Sequence, residues 1–178
     1  MKTRTWMTMV LAIVVSMLAP RAARAQMPNA YGPPIGVEAA RKVAAAAIAE
    51  GKKNGWTVAA AVVDTNGDLV FFERIDHTQV GSTIVAQEKA RTSARFKRPT
   101  KVFEDAVVGG RNVILSLPGA TPIEGGIPLL VDGKIIGAIG VSGATSQQDG
   151  VCAQAAADTL GKAPPAPAAK PVAAPPKK

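Results

Sequence analysis

The chain has 178 residues and a formal net charge of +8, yet it contains one histidine and one cysteine. That excludes an internal disulfide and a closed zinc site. Residues 26–162 hold 14 basic and 13 acidic side chains, so the body of the chain makes no electrostatic case for nucleic acid.

The excess charge lies at the ends. Lys2 and Arg4 precede an apolar run from Trp6 to Ala19, broken only by Thr8 and Ser16, and Ala23-Arg24-Ala25 follows as a small-x-small site. This pattern predicts a secretory signal peptide over residues 1–25, cleaved after Ala25. The run is too short for a membrane anchor, which needs roughly 20 apolar residues. No later stretch is long and apolar enough to span, so the mature protein is expected to be soluble and periplasmic or secreted. Residues 26–36 read as a lead-in, residues 37–162 as one domain, and residues 163–178 as a Pro/Ala-rich tail expected to be disordered.

Within the domain, Val37, Ala40, Ala44 and Ile48 recur at helical spacing, with Gly55 as the stop. Thr57–Asp64 reads as a buried strand, Asn66-Gly67 as a hairpin turn and Leu69–Arg74 as the return strand. A second helix is expected over Ser82–Phe96, with an apolar stripe of Ile84, Ala86, Ala90 and Ala94, ended by Pro99. Thr100 is placed to cap a short helix through Val108. Ile127–Val131 and Lys134–Ser142 flank an Asp132-Gly133 turn, and Gly137 and Gly140 predict close approach of a backbone or a ligand. A last helix over Ser146–Leu160 holds Cys152 as a buried small residue. Hairpins flanked by helices, without alternating βα units, give an α+β class with an antiparallel sheet.

Three features bear on chemistry. Residues 88–101 carry six basic side chains and one acid, spread around a helix. They read either as a solvated face or as cations, chiefly Lys89 and Arg98, that hold an anionic ligand. His77, in the loop after the second strand, is the strongest candidate ligand for haem iron, ahead of Tyr31 and Met27. Glu124-Gly125-Gly126 reads either as a ligand-facing loop or as a turn into a strand. Gly140–Ala144 lacks the last glycine of a nucleophile elbow, and spacing alone identifies no catalytic residue.

The segments Val62–His77, Ser82–Thr100, Glu124–Leu129 and Gly133–Asp149, in this order, resemble the GlcG/HbpS family, which includes secreted haem-binding proteins and the C-terminal domain of PduO-type cobalamin adenosyltransferases. The family's K-A-x-T-A reads here as Lys89-Ala90-Arg91-Thr92-Ser93, with serine for the last small residue. Its R-P-T falls on Arg98, Pro99 and Thr100, and its signature aspartates on Asp64, Asp76 and Asp149. The resemblance implies a profilin-like antiparallel sheet between helices and a homo-oligomer, from dimer to octamer.

The resemblance also implies haem binding. Lys89, Arg98 and Lys101 would face the propionates, Phe71, Phe72, Ile75 and Phe96 would cover the ring, and His77 or Thr100 would ligate iron. The leading expectation is an exported haem-binding protein that stores or carries haem or partners a sensor. The alternatives are a small-carboxylate-binding protein or enzyme using the same cations, with Glu124 or Asp76 as base, and a non-catalytic scaffold for a secreted redox partner.

Overall fold

The computed structural model describes residues 29–160. The signal peptide expected over 1–25 and the tail expected over 163–178 lie outside them. Four helices and a four-stranded sheet form one α+β unit: α1 (Val37–Lys53), β1 (Ala59–Val63), β2 (Leu69–Arg74), α2 (Ser82–Phe96), α3 (Lys101–Val108), β3 (Gly126–Val131), β4 (Lys134–Ser142) and α4 (Ser146–Ala157). Single 3₁₀ turns cover Asn112–Ser116 and Asp158–Leu160, so the last helix tightens where the sequence pattern extends it as α.

The strands pair antiparallel in the order β2-β1-β4-β3. β1 is central, every residue of it is buried, and it reads as a continuous apolar run for that reason. α1 and α4 cover one face of the sheet, over a core that includes Val43, Ile48, Val62, Leu129, Ile139 and Cys152. α2 covers the other. Burial pushes the Cys152 thiol up to about 11, which suits an inert core residue. β3 is an edge strand, and its outward positions are blunted. Thr100 bonds both the N–H and the C=O of Gly126, and Pro128 has no N–H to offer.

Both hairpin turns form where the sequence places them. Asp132 and Gly133 have φ of 49° and 71°, the positive pair that a two-residue hairpin turn requires. In the first hairpin the Asp64 carboxylate accepts from the N–H groups of Asn66 and Asp68 at 2.8 and 2.9 Å. Thr145 and Gln148 form a capping box that starts α4.

Two expectations are corrected. Ile84 is 67% exposed, because at 100° per residue it lies nearly opposite Ala86; the buried stripe is Ala86, Ala90 and Ala94. Thr100 precedes α3 but makes no side-chain cap, because its hydroxyl takes the Gly126 N–H at 2.9 Å.

The alanine stripe sets how α2 sits. With methyl groups facing the strand at Ala86, Ala90 and Ala94, its backbone rests directly on β4. A Cβ added at Gly140 would collide with the Ala86 carbonyl oxygen, and one at Gly137 with the Val63 carbonyl oxygen. The close partner of these strand glycines is therefore backbone. Gly140→Ala is expected to destabilise the fold by about 1–3 kcal/mol or more, since neither backbone can move without unpacking the layer. Denaturant unfolding checks this, with an unchanged m-value expected.

Candidate functional site

The six cations of residues 89–101 have separate fates. The helix turns 100° per residue, so consecutive charges face different surroundings. Arg91 and Arg95 donate to the carbonyls of Gly67 and Asn66, clamping the first hairpin turn onto α2. Lys97 lies over the Tyr31 ring at 4.1 Å, and the Tyr31 hydroxyl donates to the Ala94 carbonyl at 2.9 Å. Lys101 donates to Asp105 at 2.8 Å on the surface.

Lys89 alone turns inward. Its ammonium donates to Asp149 Oδ2 at 2.7 Å and to the Val141 carbonyl at 3.0 Å, and the two side chains are 1% and 3% exposed. The other Asp149 oxygen accepts the Ala144 N–H at 3.1 Å. Burial pushes the Asp149 carboxyl up, and the Lys89 charge pulls it back toward the ionised form. The pair joins α2, the end of β4 and the first turn of α4. Lys89 lines neither the groove beside Arg98 nor the one beside Glu124.

Arg98 faces a groove of about 430 Å³ formed by the end of α2, α3 and the 3₁₀ turn. Phe96 and Phe103 meet edge-to-face there with centroids 5.5 Å apart, and the Arg98 guanidinium lies 5.7 Å from the Phe103 ring. Arg111 stands on the same rim, and Leu117 and Pro118 complete the apolar wall. Arg111, Leu117 and Pro118 fall in residues 109–121, which carry no strong periodicity, so sequence reasoning missed them. The only sequence signal in the segment was the Gly109-Gly110-Arg111 turn before an apolar stretch.

The remaining expected site residues do not converge on this groove. His77 is exposed in the loop before α2, held at φ 66°. Arg98 lies beyond the other end of that helix, and fifteen residues span about 22 Å. Thr100 is fully buried and engaged with Gly126. Phe71 packs toward the α1 core beneath Arg41, while its neighbour Phe72 packs toward the opposite face of the sheet, as strand alternation dictates. Phe71, Phe72, Ile75 and Phe96 therefore form no common wall. Glu124-Gly125-Gly126 leads into β3, and Gly125 and Gly126 line a second groove with Glu124.

Residues 35–158 match the family described as "Haem degrading protein HbpS-like", and the chain belongs to that family. It is similar to Protein GlcG of Escherichia coli strain K12, 44% identical over 103 residues that make up 58% of this chain and 77% of that protein. Its fold is similar to the crystal structure of Streptomyces reticuli HbpS, solved as a double mutant, with a TM-score of 0.67, 32% identity, and 81% and 98% of the two chains covered. It is also similar to the crystal structure of a PduOC:heme complex, with a TM-score of 0.64, 25% identity, and 72% and 96% covered.

The buried pair generates the first test of this region. Lys89→Met leaves the Asp149 charge without its partner and is expected to cost about 3–5 kcal/mol in unfolding free energy. The double variant Lys89→Met/Asp149→Leu should recover most of that loss. If the single variant were as stable as the parent, the pair would not be a structural anchor.

Proposed function

We propose that this protein is an exported haem-binding protein and that haem lies in the groove between the end of α2, α3 and the 3₁₀ turn. The observation that carries the reading is the pairing of Arg98 and Arg111 on the rim of an apolar cleft walled by Phe96, Phe103 and Leu117. Haem presents a flat apolar ring and two carboxylates. Apolar walls remove the ring from water, and arginine forks bind carboxylates through paired charge-assisted hydrogen bonds. A volume of about 430 Å³ is in the range of small-ligand sites but leaves part of a macrocycle exposed. Family membership and the haem complex of a similar fold support the same ligand. Export rests on the sequence of residues 1–25.

The donor set fits the propionates and the ring faces, and it offers no strong axial ligand. Ser116 supplies a hydroxyl, Thr100 is committed to Gly126, and His77 lies at the far end of α2. Bound haem would supply its iron's redox chemistry. The groove residues would bind it, orient it by its carboxylates and exclude water from one face. A small carboxylate gripped jointly by Lys89 and Arg98 finds no support in this geometry, because the Lys89 ammonium is consumed by Asp149.

Titration of the mature protein with hemin, followed at the Soret band, tests the proposal. Saturable binding is expected. Charge reversal of Arg98 and Arg111 to glutamate should weaken it at least about tenfold, since hydrogen bonds to charged groups contribute about 1.5–3 kcal/mol each. His77→Ala should leave the spectrum unchanged. Undiminished affinity in the doubly reversed variant would remove haem from this groove, and a spectral change in His77→Ala would move the iron to the other end of α2.

A further inference from the structure

A second groove lies on the far side of the Arg98–Lys101 turn and encloses about 320 Å³ between the start of β3 and α4. Gln147, Gly150, Val151 and Gln154 recur at i, i+3, i+4 and i+7 of α4, so they form one stripe along its wall. Carboxamides stand at the two ends of the stripe. Val151 and Ile127 supply apolar surface between them.

Glu124 reaches into this groove. Its side chain rests against Gly150, where an added Cβ would meet Oε1 at 2.6 Å. Its backbone N–H is taken by the Glu104 carboxylate, whose other oxygen accepts from Ser146, so the residue is fixed at its root. The side chain is only 17% exposed. Lys101 Nζ lies 3.9 Å away but donates instead to Asp105 at 2.8 Å, and no other cation among the described residues lies within 4 Å. Among the described residues no donor makes a hydrogen bond to the Glu124 carboxylate. Burial pushes its pKa up, with the Lys101 charge opposing and the Glu104 and Asp105 charges reinforcing.

A half-sheltered carboxylate that takes no protein donor is free to accept N–H or O–H groups from a ligand. An ammonium fits better than a hydroxyl, because Lys101 is already neutralised by Asp105 and the charges of Glu104 and Glu124 remain. We propose that this groove is a binding site for the primary ammonium group of a small alkylamine, with Glu124 accepting its N–H donors and the aliphatic stem lying on Val151 and Ile127. Charge-assisted hydrogen bonds of this kind are the strong ones. The site is separate from the haem groove and stands without it. Lysine side chains carry the same chemistry, and the chain itself holds Lys170, Lys177 and Lys178 beyond the described residues.

Isothermal titration of the mature protein, its C-terminal tail included, with 1,4-diaminobutane, against uncharged 1,4-butanediol, tests the site. Saturable binding of the diamine and none of the diol is expected. Glu124→Gln should weaken the diamine at least tenfold. Val151→Lys, on an exposed position, should block it by placing a competing ammonium in the groove. Both variants should still bind hemin as the parent does, which separates this site from the first. A variant of the mature protein with Lys170, Lys177 and Lys178 changed to glutamine distinguishes the sources of the ammonium. Tighter diamine binding in that variant identifies the chain's own lysines as occupants, and unchanged binding identifies a free amine. No diamine binding in both the parent and the tail variant, or equal binding in Glu124→Gln, overturns the proposal.

Discussion

The structure depends on one ammonium group being kept out of water. Among the described residues Lys89 is the largest side chain buried to the point of near-zero exposure, and a charge there is tolerable only with a partner and hydrogen bonds. Asp149 supplies the partner, and with the Val141 carbonyl it takes two of the three ammonium donors. They come from two elements that follow each other in the chain, β4 and α4, while Lys89 comes from α2 on the opposite face of the sheet. A single contact therefore fixes the register of three elements. The pairing is directional, so α2 cannot slide along the sheet without stranding a charge.

That constraint works with the glycine and alanine surface rather than beside it. Alanines alone would let α2 approach β4 closely but would not choose among nearby registers, because methyl groups are alike. Gly140 marks where the helix backbone crosses the strand, and the Lys89–Asp149 pair selects the turn of helix that lands there. Close approach supplies the dispersion contacts of that layer, and the ion pair supplies its uniqueness.

Much of this was legible in the sequence, because strands, hairpins and helix limits are local. Asp132-Gly133 demands a tight turn by its own backbone preferences, and Ala86, Ala90 and Ala94 announce a close-packed helix by spacing alone. The charges were legible only as a cluster. Lys89 and its partner are sixty positions apart, so no window shows that one cation of six turns inward. Thr100 had the residue type of a helix cap, and tertiary pairing with Gly126 took the hydroxyl instead. Arg111, Leu117 and Pro118 belong to a stretch without period, where neither helical nor strand reasoning has purchase. The resemblance put His77 and Arg98 on one ligand, but they flank a helix of fifteen residues that separates them.

The result is a division between side chains that hold the fold and side chains that line open grooves. Lys89, Thr92, Thr100 and Asp149 are buried and bonded to protein. Each is a poor choice for ligand contact, because a ligand would have to replace an internal bond already made at full strength. Arg98, Arg111 and Glu124 line grooves around the turn that ends α2, and their removal leaves no buried partner stranded. Thr100 lies between the two grooves, joining the start of α3 to β3, so both are positioned by a rigid post that lines neither of them. The chemistry of the grooves can therefore shift by exchange of a few rim residues while the ion pair and the alanine layer keep the scaffold unchanged.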